Sequence, residues 1–76
     1  MPTYRIHVRN KDFQSHAEAE HADSAQALAA GLRGVLEIGT EEVCEGKPFF
    51  GAEVSVALEG EILERRLVAI GTSPLQ

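Results

Sequence analysis

Seventy-six residues suffice for one hydrophobic core and leave no room for a second. Twelve acidic residues against seven basic ones give a formal net charge of −5, which opposes general binding to phosphate backbones. The single cysteine, Cys44, excludes an intrachain disulfide and fits a reducing compartment, and no apolar run approaches the ~20 residues of a membrane span.

Met1 and Pro2 lead straight into an alternating segment, without the basic start and apolar run of a secretory signal, so a cytoplasmic location is expected. Tyr4, Ile6 and Val8 alternate with polar residues, which predicts a strand over 3–9 with one buried face. Asn10, Lys11 and Asp12 supply a turn. A returning strand over 13–21 then pairs Arg9 with Gln14, Val8 with Ser15, His7 with His16, Ile6 with Ala17 and Arg5 with Glu18. This register keeps apolar partners on one face and polar partners on the other.

Asp23 and Gln26 have the spacing of a helix N-cap and capping box, and Gly39 stands where a C-cap would end the helix, giving a helix over 24–38. Ala25, Leu28, Leu32, Val35 and Leu36 form its expected core face. Gln26, Arg33 and Glu37 form its solvent face. A third stripe, Ala27, Gly31, Gly34 and Ile38, is nearly free of bulk, and each interior glycine costs roughly 1 kcal/mol of helix propensity. Residues 40–51 read as a connection in which one or both of Phe49 and Phe50 plug an open end of the core. Cys44 reads as a small buried hydrophobe.

A second hairpin is expected to turn at Gly60-Glu61, with strands over 52–59 and 62–70. That register pairs Leu58 with Leu63, Val56 with Arg65 and Val54 with Leu67. Arg65 then enters an apolar row, which a β-bulge near Arg65-Arg66 would relieve. Ile62, Val68 and Ile70 fall on the opposite face. Residues 70–76 read as a partly ordered tail. The fold class is α+β: a single ββαββ domain with a four-stranded antiparallel sheet and one helix packed on one face. Tyr4, Ile6, Val8, Ala17, Leu28, Leu32, Val35, Leu36, Val54, Val56 and Leu58 form the expected core.

No nucleophile elbow, phosphate loop, cysteine pair or dinucleotide fingerprint occurs, so no enzymatic activity and no cofactor are expected. His7 and His16, opposite one another on the polar face, together with Glu18 compose a candidate zinc or nickel site, because these metals accept two imidazoles and a carboxylate. Glu18 also faces Arg5, as an ordinary cross-strand ion pair would. Arg5 and Arg9 offer a basic strand face for nucleic acid, against the net charge. The reading that accounts for most residues is a non-enzymatic, self-associating protein-interaction module, most simply a two-fold dimer. Its candidate interface residues are Ile62, Val68 and Ile70 on the sheet and Ala27, Gly31 and Gly34 on the helix.

The opening Met1-Pro2-Thr3-Tyr4, the strand ending His7-Val8-Arg9 and the Asp23-initiated Ala-rich helix resemble a group of short uncharacterised bacterial proteins with a Met-Pro-x-Tyr start and a ββαββ pattern. The chain departs from that group in lacking its Asp-Gly turn and its later Asp-x-x-Gly step. The resemblance implies a bacterial cytoplasmic protein and transfers no catalytic residue.

Overall fold

The computed structural model describes residues 1–75. Four strands and one helix follow in the order β1 (Thr3–Arg9), β2 (Gln14–Glu20), α1 (Ser24–Cys44), β3 (Phe49–Leu58) and β4 (Glu61–Gly71). The strands form one antiparallel sheet in the order β2-β1-β3-β4, so the fold is the expected α+β arrangement. The helix packs on β3, β4 and β1.

The first hairpin has the register its alternation predicts, including His7 opposite His16 and Arg5 opposite Glu18. Its turn is fixed by Asn10, whose side-chain oxygen accepts from the backbone N–H groups of Asp12 at 2.8 Å and Phe13 at 3.0 Å. Asp23 is extended and its carboxylate accepts the Gln26 N–H at 2.8 Å, as an N-cap should.

The helix does not end at Gly39. It runs six residues beyond the expected 38 to Cys44 and closes in a Schellman motif: Gly46 N–H donates to Val43 O and Lys47 N–H to Glu42 O. Gly46 is the left-handed residue of that motif, at φ 112°. Gly39 is instead buried under the sheet, where an added Cβ would stand 2.7 Å from both Ile70 Cδ1 and Phe50 Cδ2. Cys44, expected inside, is exposed.

Burial also reassigns the helix faces. Ala27, Leu28, Gly31, Val35 and Gly39 are buried, so Ala27 and Gly31 of the light stripe face the core while Gly34 and Ile38 stay exposed. Ala25 is exposed, Leu32 is half-buried and Leu36 is 44% exposed. Gln26, Arg33 and Glu37 face solvent as expected. The core is completed by Tyr4, Ile6, Val8, Phe50, Ala52, Val54 and Val56, while Ala17 is exposed.

The second hairpin turns one residue earlier than expected, at Glu59-Gly60. Both residues have positive φ, 51° and 84°, as a type I′ turn requires. Leu58 therefore faces Glu61, and beyond an irregularity beside Val56/Ala57, opposite Leu63, the pairs are Val56–Glu64, Ser55–Arg65, Val54–Arg66 and Ala52–Val68. The one-residue slip exchanges the faces of β4. Val68 and Ile70 turn inward and pack on the core, whereas Leu67 is 80% exposed. Arg65 never enters the apolar row. Strand β3 begins at Phe49, and Phe50 is the plug while Phe49 lies outside across Gly51. The expected tail is shortened too, because Ile70 and Gly71 belong to β4 and Thr72 N–H donates to Pro48 O at 2.9 Å. Gln76, placed in that tail, lies outside the described residues.

These contacts set opposite outcomes for two neighbouring glycines. A Cβ on Gly31 would meet Ile6 Cγ2 at 2.9 Å and Val54 Cγ1 at 3.1 Å, both in the core, whereas a Cβ on Gly34 meets nothing within 4 Å. Gly31→Ala should lower the unfolding free energy by about 1–3 kcal/mol through overpacking. Gly34→Ala should raise it by about 0.5–1 kcal/mol through helix propensity and a stiffer unfolded chain. Urea denaturation of both variants, each corrected for oligomer concentration, checks the sign of each change.

Candidate functional site

Strand parity sorts the polar residues onto the sheet face away from the helix. Arg5, His7 and Arg9 from β1 lie there beside His16 and Glu18 from β2 and Ser55 and Glu53 from β3. The histidine rings stack, with centroids 4.1 Å apart and planes within 6°. Stacking turns the two ring edges alongside each other rather than towards a common point. Arg5 Nε and Nη2 approach His16 Nδ1 at 3.2 and 3.1 Å, and His7 Nε2 lies 3.2 Å from Gln14 Oε1. The Nε of Arg5 donates to the Nδ1 lone pair that a metal would need. Desolvation among these neighbours, then the charges of Arg5 and His7, hold the His16 imidazole below its ordinary range.

The structure thus brings His7 and His16 together but sends the Arg5 guanidinium to His16 rather than to Glu18. No group of three metal-ligating side chains occurs among the described residues. The basic face is likewise occupied: Arg9 and Arg65 approach the Glu53 carboxylate at 3.5 and 2.8 Å, with Arg65 donating a hydrogen bond. That bond is the first cause of a lowered Glu53 pKa, aided by the positive charges of Arg65 and Arg9.

Two concavities lie elsewhere among the described residues. One, of about 810 Å³, lies between the first turn and the α1–β3 connection and is lined by Arg9, Lys11, Asp12, Glu42, Lys47 and Phe49 among others. No serine, cysteine or histidine lines it, and its Lys47 is paired with Glu42 at 3.1 Å. The Glu42 bond raises the Lys47 pKa, so the amine stays a cation.

The other concavity is an open apolar groove of about 410 Å³ between α1 and β2. Its floor is Ile6, Val8, Ala17 and Ala19, and its wall is Ala30, Gly34 and Ile38. It exists because the helix sits over β1, β3 and β4, so that β2 remains exposed along its whole length. Of the interface residues named from sequence, Gly31 and Gly34 line this groove. Ala27, Gly31, Val68 and Ile70 are drawn into or against the monomer's own core, and Ile62 stays 58% exposed. Sequence reading missed the groove because Ala17 and Ala19 have inward parity but nothing above them. Parity gives a face; it does not give its cover.

Neither a family model nor a curated protein nor a solved structure matches the chain.

The Glu53 cluster has a defined pH signature. Its folded pKa lies below the ordinary 4.5, so its stabilisation is complete above that value and is lost as pH falls through the lowered one. Thermal melts of the native protein and Glu53→Gln should differ most above pH 4.5 and converge in more acidic buffer. A gap that does not change with pH would contradict this assignment.

Proposed function

We propose that the protein is a non-enzymatic interaction module that works by self-association. The observation that supports this reading is β2, an edge strand bare on both faces whose inward row, Ser15, Ala17 and Ala19, floors an open apolar groove. An edge strand with its inward face uncovered offers a partner both unpaired backbone groups and apolar surface. The light core gives a second reason. Its largest fully buried side chains are valines, Val35, Val54 and Val56, and domains of this size usually add a disulfide, metal or subunit. A lone exposed cysteine suits a reducing cytoplasm, where such a module would remain free of disulfide links.

Sedimentation at micromolar concentration should give twice the 8.2 kDa chain mass. Ala17→Glu places a carboxylate on the groove floor at an exposed position and should return the protein to monomer without unfolding it. Leu67→Glu, on the far face of the sheet, should leave the dimer intact. A native chain that sediments as a monomer throughout this range overturns the reading.

A further inference from the structure

We propose that β2 pairs antiparallel with β2 of a second copy, across a two-fold axis at Ala17, to build one continuous eight-stranded sheet. The inference rests on the self-association reading and names the surface that performs it.

The edge available for pairing follows from the hydrogen bonds already made. Asn10 N–H donates to Phe13 O at one end of the first hairpin, and His21 N–H donates to Pro2 O at the other. Bonded and non-bonded pairs alternate in an antiparallel ladder. With the observed register, Ser15, Ala17 and Ala19 therefore spend their backbone groups on β1. Gln14, His16, Glu18 and Glu20 turn theirs to the free edge.

Antiparallel partners share a face, so a two-fold axis must pass through a residue position rather than between two. An axis at Glu18 sets that carboxylate against its own copy, which like charges oppose. An axis at His16 sets two imidazoles opposite one another and brings Glu20 against Asp12 of the second copy. An axis at Ala17 pairs the whole of β2. His16 then faces Glu18 of the second copy, Gln14 faces its Glu20, and Ser15 faces its Ala19. Every outward N–H and C=O of the four edge residues bonds. Ala17 meets its own counterpart in a non-hydrogen-bonded pair, where side chains approach most closely and a methyl group fits.

The charges agree with this choice. Each copy sets an imidazole opposite a carboxylate, and each Glu18 stands in backbone register between Arg5 of its own chain, whose guanidinium turns to its own His16, and His16 of the other. The opposite edge of the sheet is guarded as edges commonly are, since β4 carries an irregularity near Leu63 and the cations Arg65 and Arg66. Strand β2 has neither a proline nor a lysine nor a bulge.

Cross-linking reads the register directly. In a Cys44→Ala background, Ala17→Cys should oxidise to a disulfide-linked dimer, because non-hydrogen-bonded partners have Cα atoms about 4.5 Å apart, within disulfide reach. Ser15→Cys and Ala19→Cys should each remain unlinked alone and should cross-link when mixed. Glu18→Pro removes an outward N–H while keeping the bonds to β1, and should raise the dimer dissociation constant about tenfold or more. If circular dichroism shows that Glu18→Pro has unfolded, the cross-linking pattern decides alone. A native chain that is monomeric in sedimentation overturns the self-association reading itself. A native dimer in which Ala17→Cys does not cross-link, or which a folded Glu18→Pro leaves unweakened, overturns the β2 pairing and leaves self-association standing.

Discussion

The close approach of α1 to the sheet along Ala27, Gly31, Val35 and Gly39 governs the rest of the molecule. These residues recur every fourth position and form one ridge of the helix surface. Two of them have no side chain, and there the helix backbone comes down onto Ile6 and Val54 at one point and onto Phe50 and Ile70 at another. A ridge this low fits only where the sheet's own residues fill the space, above β1, β3 and β4. The helix is thereby held to one side. Strand β2, at the far edge, receives no cover, and its inward row consists of Ser15, Ala17 and Ala19.

The same ridge explains which parts of the fold were legible in the sequence. Alternation in β1 and β2, the Asn10 turn and the Asp23 cap are local signals, and each is satisfied by neighbours within a few residues. Gly39 carries a signal that tertiary packing overrules. A glycine after an apolar helical run commonly marks a C-cap, yet here its missing side chain is needed by Phe50 and Ile70, and the true stop is Gly46. The two glycines of the light stripe part company: Gly31 lies against the chain's own sheet, whereas Gly34 has nothing within 4 Å of an added Cβ.

The second hairpin departs from its expected register for a different reason. Leu63 and Leu67 on one parity and Ile62, Val68 and Ile70 on the other give β4 apolar residues on both faces, so pattern alone could not choose between registers one residue apart. The choice falls to the irregularity after the turn. Continued from the Glu59-Gly60 loop, the register would keep Leu63, Arg65 and Leu67 inward, and the extra residue at Leu63 instead sets Glu64, Arg66, Val68 and Ile70 opposite Val56, Val54, Ala52 and Phe50. This places Arg65 beside Glu53 on the solvent face and Ile70 beneath Gly39. The candidate site suffered equally. The expected pairing of His7 and His16 is present, but ring stacking and the Arg5 bond are side-chain geometry that strand parity cannot reveal.

A light core and an open edge become one argument when stability is considered together with assembly. A domain of this size works with a small margin, and its helix spends two interior glycines on proximity rather than on propensity. Additional backbone hydrogen bonds along β2 would form only in the assembled state, so their stabilisation of the native fold would grow with the logarithm of the chain's own concentration. Such coupling would make the uncovered strand more than a defect of coverage. Filling the inward face of β2 with large residues would deepen the monomer's core but would expose an apolar edge whenever the copies separated. Alanine and serine keep the separated chain tolerable in water, and His16, Glu18 and Glu20 keep its free edge polar. A strand meant to be stable both paired and unpaired would be small on one face and mostly charged on the other, and β2 carries Ser15, Ala17 and Ala19 on one face and His16, Glu18 and Glu20 on the other.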